Sequence, residues 1–373
     1  MEKQEKALLT IIVPAYNVEA YIEECLNSLV NQTVRNHKII IVNDGSTDKT
    51  EEKCLKYKEE YEELITYVYQ DNKGLGGARN TGMQYVDTPY LTFLDSDDWL
   101  SIKFVEKFSK LMEWTDEKPE MVFTLPWVFD SVTNRILSWK DKEIYDSIFE
   151  VKENKSYVKT NVRKNPELYK LEVSSCRKIY KTEFLEDNKF FFPEKLNTCM
   201  ALPEVGFFYR TNQGGQITSG GGKTRLDMVP IFEQLLKVQE ENNFIEIERA
   251  YVLRLILDFS LWSVEATNVE YIVELLNKLH IFWKKIDKND LQFYLDNLSQ
   301  NKEVEKGFVA SLMSENYLKL KEYDERYDVM RKYSRVFNKD GEKRNIIKGG
   351  LKCVQEHGLK YTISWALEKS QLR

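Results

Sequence analysis

The chain has 373 residues, of which 42% are hydrophobic and 31% charged, and its formal net charge is −6. This length predicts two globular domains, and the net charge gives no indication of a general nucleic-acid-binding protein. The histidines (His37, His280 and His357) lack zinc-site spacing. Five scattered cysteines without a C-x-x-C pair predict reduced thiols in a cytoplasmic protein. No run reaches the ~18 apolar residues of a membrane-spanning helix.

The first part of the chain, to about residue 125, alternates apolar runs with helical patterns. This alternation is typical of βαβ units and a parallel sheet. The predicted strands are 8–13, 38–42, 64–69, 90–94 and 120–124. The predicted helices are about 19–30, 48–62, 76–86 and 101–112. Because proline lacks an N–H group and fixes φ, we expect Pro14 to end the first strand.

The pattern beyond residue 125 is mixed until glycine-rich segments at 214–215 and 220–222 mark a boundary. Helical periodicity then dominates. We therefore predict an α/β domain at 1–222 and a mostly α-helical domain at 223–373. The segment Ser219–Thr224 does not fit a phosphate-binding loop, because position 217 would have to be glycine and is Ile217.

Polar residues follow four consecutive predicted strands at the point where each ends. Tyr16 follows the first strand, Asp44 the second, Asp71 and Arg79 the third, and Asp95-Ser96-Asp97-Asp98 the fourth. Parallel strands present their ligands at their carboxyl ends, so we expect these residues to share one crevice. Asp44 is suited to accept hydrogen bonds from a nucleoside, and Arg79 to contact a polyanion.

Three acids lie close together in Asp95–Asp98, a segment that we call the acid turn. Packed carboxylates repel one another unless a cation neutralises them, and Mg²⁺ is suited to one or two carboxylates plus substrate phosphates. The alternative is a solvated turn that caps the helix predicted from about 101 to 112. The four strand ends together favour a site for a nucleotide diphosphate and a metal ion.

Four segments in this order and spacing resemble glycosyltransferase family 2: Ile12–Asn17, Val42–Asp48, Asn72–Gly82 and Phe93–Asp98. The resemblance covers residues 8–115. It implies a GT-A (Rossmann-like) nucleotide-diphospho-sugar transferase domain, here followed by the mostly α-helical region. It also implies a nucleotide-sugar donor, Mg²⁺ or Mn²⁺, and inversion at the anomeric carbon.

The resemblance assigns roles to individual residues. The nucleotide site that it implies consists of Pro14, Ala15, Tyr16, Asp44, Asp71, Arg79, Asp95 and Ser96. Asp44 would bind the base, taken as the uracil of a UDP-sugar. Asp97 would be the direct metal ligand, and Asp95 would touch the ribose or a metal-bound water. Lys178 and Arg210 match the family more weakly; they would meet the diphosphate or an acidic acceptor, or else be surface cations.

The general base is where the sequence departs from the family. An inverting transfer needs a base that deprotonates the acceptor hydroxyl, and the family commonly carries it in a Glu-Asp pair shortly after a Phe-Pro-Glu stretch. Here Phe192-Pro193-Glu194 is followed by Asn197–Leu202 without that pair. Glu194 and Glu204 are the nearby candidate bases. An alternative function is therefore a nucleotide-sugar-binding protein that does not transfer and acts as a scaffold.

A nucleotidyltransferase also uses paired acids and Mg²⁺, but it usually needs a loop rich in Gly, Arg and Lys after strand one. This chain has Ala15–Glu19 there. The reading that we favour is transfer from a UDP-sugar to a hydroxyl of a glycan or lipid-linked saccharide, in polysaccharide biosynthesis. We expect a cytoplasmic protein, and the helical domain offers surface for a homodimer.

Residues 343–373 carry seven Lys or Arg against two Glu. Ile347, Leu351 and Val354 share one helical stripe, so this segment would suit peripheral contact with the inner face of the cell membrane. The alternative, which we favour, is a helix packed on the protein with a solvated basic face.

Overall fold

The structure is a computed structural model. It describes residues 7–116, 118–138, 145, 168, 171, 174–187, 199–211, 222–241, 243–299 and 301–314. The chain divides into two compact units, Met1–Thr218 and Ser219–Arg373. Glu194 and the basic segment 343–373 lie outside the described residues. In the described part of the chain, no helix is long and apolar enough to cross a bilayer.

The first unit is built on a sheet. In chain order its elements are β1 (Leu9–Ala15), α1 (Ile22–Val30), β2 (His37–Asn43), α2 (Thr50–Glu60), β3 (Ile65–Tyr69), α3 (Gly74–Met83), β4 (Tyr90–Phe93), β5 (Trp99–Leu100), α4 (Phe104–Trp114), β6 (Met121–Asp130), β7 (Arg135–Ser138), β8 (Lys178–Lys181), α5 (Thr182–Asp187) and β9 (Cys199–Thr211). The strand order is β3-β2-β1-β4-β8-β6-β9-β5, with β7 paired to β6.

The parallel part of the sheet, β3-β2-β1-β4, brings the strand ends together. Ala15 is opposite Asn43, and Asn43 is opposite Tyr69, so β1, β2 and β3 end at one level. β4 ends three residues earlier, with Phe93 opposite Ile12. β1 and β2 are near-continuous apolar runs because parallel strands are buried on both faces.

The expectation that Pro14 ends β1 is wrong. The strand continues through Pro14, which pairs with Val42, and its residues are all buried. Backbone groups alternate sides along a strand. The Ile12 carbonyl accepts from Leu94 on the β4 side, so Pro14 also points that way. The β1–β4 ladder has already ended at Ile12, and a proline without an N–H group is tolerated there.

The short strand β5 was not predicted, and the remaining differences before residue 125 concern boundaries. β6 extends to Asp130 because it pairs with β7 and β9 beyond residue 124. α3 begins at Gly74 and ends at Met83, and α4 runs from Phe104 to Trp114. Each predicted strand and helix before residue 125 nonetheless has an observed counterpart.

The second unit is helical in its described part, as predicted. Its helices are α6 (Met228–Glu241), α7 (Glu246–Ala266), α8 (Val269–Trp283), α9 (Lys288–Asn297) and α10 (Lys302–Met313). Large side chains fill their shared core, among them Phe232, Ile256, Leu275, Phe282, Trp283 and Phe308. Trp283 is buried with its indole N–H donated to Ser260 Oγ at 3.3 Å, which satisfies its polar atom.

Candidate active site

Asp44 lies where β1, β2 and β3 end, and it is 2% exposed. Its backbone N–H donates to the carbonyl of Ala15 at 2.9 Å. Its Oδ1 accepts hydrogen bonds from Gln70 Nε2 at 2.5 Å and from the backbone N–H of Lys73 at 2.8 Å. Hydrogen bonds to a carboxylate are stronger than those between neutral groups, so Asp44 is held firmly at the sheet edge.

Gly45 allows the loop after β2 to approach the loop after β3. Its φ is +74°, and a Cβ at this position would lie 3.0 Å from the backbone nitrogen of Asn72. Both the left-handed backbone and the close approach require glycine. Asp71, the next predicted site residue, is exposed on this second loop.

The loops after β1 and β2 are joined by hydrogen bonds. Asn17 Oδ1 accepts a hydrogen bond from the backbone N–H of Thr47 at 2.8 Å, and the backbone N–H of Asn17 donates to Ser46 Oγ at 3.1 Å. The φ of Asn17 is +48°. Asparagine tolerates this left-handed conformation better than most residues. Pro14 and Ala15 are buried below these loops, whereas Tyr16 is 48% exposed on the rim.

Arg79, on α3, is paired with Asp95. Its Nη2 donates to Asp95 Oδ1 at 2.7 Å and to Cys176 Sγ at 3.4 Å. Its guanidinium lies 5.8 Å from the centre of the Phe93 ring. Burial, followed by the nearby Asp95, raises the pKa of the Cys176 thiol well above its usual value, so that sulfur is protonated at neutral pH.

The acid turn alternates partly exposed and buried residues. Asp95 and Asp97 are partly exposed, whereas Ser96 and Asp98 are buried. The backbone N–H of Asp98 donates to the carbonyl of Asp95 at 3.0 Å and closes the turn. Burial, followed by the charges of Asp97 and Asp95, raises the pKa of Asp98 well above its usual value. The three carboxylates are therefore close enough to repel one another.

The acid turn fits a hard divalent cation, which prefers oxygen ligands. Oδ2 of Asp98 is buried without a hydrogen-bond partner in the described part of the chain, and a nearby cation would favour the charged form of this carboxyl group. Among described residues, no three His, Cys, Asp or Glu side chains converge on one metal position. Mg²⁺ commonly uses only one or two carboxylates and takes its other ligands from substrate phosphates and water.

The two cations from the weaker match are not surface residues. Lys178 is 3% exposed and Arg210 is 7% exposed. Lys178 Nζ donates to the Ser174 carbonyl at 2.8 Å and lies over the Phe123 ring. Glu204 lies within β9. The alternative of solvated surface cations is therefore wrong for both Lys178 and Arg210.

Sequence reasoning assigned no role to Gln70 or to the backbone of Lys73. Gln70 follows β3 directly, just as Asp44 follows β2, so the strand-end argument would have found it. The contact of Lys73 depends on the path of the loop through Gly74, which has φ of +75°, and no sequence pattern specifies that path.

Comparison with known proteins gives a consistent result. Residues 10–169 match the family model for Glycosyl transferase family 2. Glycosyltransferase GlyA of Streptococcus pneumoniae serotype 4 is 33% identical over 193 residues, which are 49% of this chain and 25% of GlyA. The Escherichia coli UDP-Glc:alpha-D-GlcNAc-diphosphoundecaprenol beta-1,3-glucosyltransferase WfgD is 36% identical over 107 residues, or 28% of this chain and 42% of WfgD.

Among solved structures, S. aureus TarS 1-349 in complex with UDP-GlcNAc is similar in fold. Its TM-score is 0.64 at 17% sequence identity, over 86% of this chain and 91% of that chain. The sheet and its strand-end acids define a GT-A domain followed by a helical region, which confirms the predicted fold class. The similarity to glycosyltransferase family 2 covers residues 10–169, which are less than half of this chain. The chain spans about a quarter of the length of GlyA and less than half that of WfgD.

Proposed function

We propose that this protein is a metal-dependent, inverting glycosyltransferase that moves a sugar from a UDP-sugar to a hydroxyl of a glycan or lipid-linked saccharide. The observation that carries the proposal is that Asp44 and the acid turn lie at the same edge of the sheet. The name of WfgD specifies UDP-Glc, and TarS binds UDP-GlcNAc, which supports uridine as the nucleoside. The names of two other relatives specify teichoic acid, and we propose the biosynthesis of teichoic acid or polysaccharide as the setting.

The nucleoside end of the site would be formed by Asp44 and its neighbours. Asp44 would accept an N–H of uracil, with its carboxylate already oriented by Gln70 and Lys73. Ala15 would form the floor and Tyr16 the rim against which the base packs. Asp71 would face the nucleotide from the loop after β3.

The diphosphate end would be formed by Arg79 and the acid turn. Asp97, with Asp95, would hold Mg²⁺ or Mn²⁺, which when bound stabilises charge on the departing diphosphate. Arg79 fixes one oxygen of Asp95 through its 2.7 Å hydrogen bond. Ser96 lies between these two acids in the sequence and is buried. Its side chain would therefore contribute by maintaining the shape of the turn.

Glu204 and Glu194 remain our candidate bases. β9 shifts register against β6 between the pairs Thr124–Leu202 and Leu125–Val205. Glu204 thus lies in a β-bulge, and such irregularities are common beside active sites because they redirect a side chain. This position supports Glu204 as a candidate base.

The setting of the protein is part of the proposal. We place it in the cytoplasm, where buried free thiols such as Cys25 and Cys54 stay reduced. We propose a domain boundary between residues 222 and 223, four residues after the division between the two compact units at 218 and 219. If residues 343–373 contact the inner face of the membrane, the protein should float with anionic vesicles at low salt and be released from them at high salt. A protein that stays soluble at both salt concentrations would favour packing of this segment on the protein. Sedimentation would test whether the protein forms a homodimer.

Isothermal titration of UDP, with Mn²⁺ and with EDTA, tests the proposal. Wild type, Asp97→Ala and the control Asp258→Ala in the helical unit would be compared, together with UDP release from a panel of UDP-sugars. We expect metal-dependent binding that Asp97→Ala loses, and UDP release. Binding without release would favour the protein that binds a nucleotide sugar without transferring it. Absence of UDP binding by wild type would overturn the uridine donor.

A further inference from the structure

Arg210 is a buried cation that contacts three aromatic rings. It lies on β9 and is 7% exposed. Its guanidinium carbon is 4.8 Å from the centre of the Trp99 ring, 5.2 Å from that of Tyr21 and 5.3 Å from that of Phe129. Its Nη2 forms an ion pair with Glu24 of α1. The side chain therefore connects β9, β5, β6 and α1.

Arg210 also holds the acid turn at two points. Its backbone N–H donates to Asp98 Oδ1 at 2.7 Å, and its side-chain Nε donates to the carbonyl of Asp97 at 2.9 Å. The Asp97 carbonyl belongs to the peptide that joins Asp97 to Asp98. Fixing this peptide restricts the backbone of Asp97 and with it the directions that the Asp97 side chain can take.

A buried arginine is a costly way to fill this space. Desolvation of a charge is offset only by well-oriented partners, and apolar residues of similar volume commonly give equal or greater stability. Lysine would keep the charge but lacks the planar fork that bonds the Asp97 carbonyl and Glu24 at once. The choice of arginine thus fits control of geometry better than stability alone.

We propose that Arg210, oriented by Glu24, is a positioning residue that aims Asp97 at the metal and the donor diphosphate. This inference rests on the function proposed above, since it assigns Arg210 to the same site. Groups that orient metal ligands typically change metal affinity or activity by about 10- to 100-fold when they are replaced. Arg210 does not need to touch the donor for such an effect.

The test is a comparison of UDP affinity with Mn²⁺ and with EDTA in Arg210→Lys, Glu24→Gln and the control Arg249→Lys. Arg249 forms a similar ion pair, with Asp290 at 2.9 Å, in the helical unit. We expect Arg210→Lys to reduce the Mn²⁺-dependent gain in affinity by about 10-fold and to leave the affinity in EDTA unchanged. Glu24→Gln should cause a smaller reduction in the same gain, and Arg249→Lys none.

These readouts separate the possible outcomes. A purely structural role would weaken binding equally with Mn²⁺ and with EDTA, and that result would overturn the inference. An unchanged Mn²⁺-dependent gain in Arg210→Lys would also overturn it. If Arg210→Lys does not fold, Glu24→Gln decides, and an unchanged gain there overturns the inference. If wild type shows no metal-dependent binding, the proposed function fails first, and the inference fails with it.

Discussion

Asp44 Oδ1 accepts the backbone N–H of Lys73 at 2.8 Å, so the residue that follows β2 is bonded to the start of the segment that carries Arg79. At the other end of this segment Arg79 is bonded to Asp95 at 2.7 Å. Residues 73–79 thus connect Asp44, which we assign to the nucleobase, with Asp95, which we assign to the diphosphate end of the donor. The two halves of the proposed donor site are held by the same element.

Replacing Asp44 by asparagine tests the nucleoside end of this arrangement. Asparagine can still accept from Gln70 and Lys73, but it lacks the negative charge that strengthens a hydrogen bond from uracil. We expect a loss of about 2 kcal/mol in UDP binding, which is roughly a 30-fold rise in Kd, measured by titration calorimetry. Asp48→Asn, in the same loop, is the control and should leave Kd unchanged. Equal affinity of Asp44→Asn and wild type would remove Asp44 from the base site.

The Arg79–Asp95 pair should contribute more to stability than an exposed pair. Their side chains are 22% and 30% exposed, whereas those of Lys110 and Glu106 on α4 are 52% and 26% exposed. A double-mutant cycle with Arg79→Met and Asp95→Asn should give a coupling of about 2 kcal/mol in urea unfolding. The same cycle with Lys110→Met and Glu106→Gln should give about 0.5 kcal/mol or less. Similar couplings would mean that solvent screens both pairs alike.

Two glycines of α3 should respond to alanine with opposite signs. A Cβ at Gly82 would lie 2.4 Å from Ile12 Cγ2 and 3.3 Å from Val42 Cγ2. We expect Gly82→Ala to destabilise the protein by about 1–3 kcal/mol, because the closely packed side chains must shift. At Gly76 no described atom lies within 4 Å of such a Cβ.

Gly76→Ala should therefore stabilise the helix by about 0.5–1 kcal/mol, because alanine loses less backbone entropy than glycine. Thermal and urea unfolding of both variants would measure the difference. Destabilisation of equal size in both would contradict the packing of α3 on β1 and β2.

The sequence predicted the positions of the candidate site residues where the local order of elements determines them. Asp44, Asp71 and the acid turn each follow a strand, and parallel strands in register bring such residues to one edge. The contact of Arg210 with the acid turn was not predictable, because it depends on the pairing of β9 with β5, and its bond to the Asp97 carbonyl spans 113 positions. Pro14 was misjudged for a related reason: whether its missing N–H group matters depends on where the β1–β4 ladder ends.

His37 should make the protein less stable in mild acid. It begins β2, is 3% exposed, and its Nε2 lies 3.0 Å from the carbonyl of Leu29, to which it donates as a neutral ring. Burial, with a smaller contribution from Arg35, lowers the pKa of His37 from 6.5 to about 4. The unfolded chain thus binds a proton more readily than the folded one.

The stability that His37 contributes is consequently complete above pH 6.5 and falls as the pH drops from 6.5 towards 4. A shift of this size corresponds to about 3 kcal/mol over that window. Urea unfolding at several pH values should show wild type losing more free energy of unfolding between pH 7 and 4 than His37→Gln does, by about this amount. His37→Gln will be less stable at pH 7 if glutamine packs poorly, so the comparison is between the two slopes. Identical slopes would show that His37 titrates in the folded protein as it does in the unfolded chain.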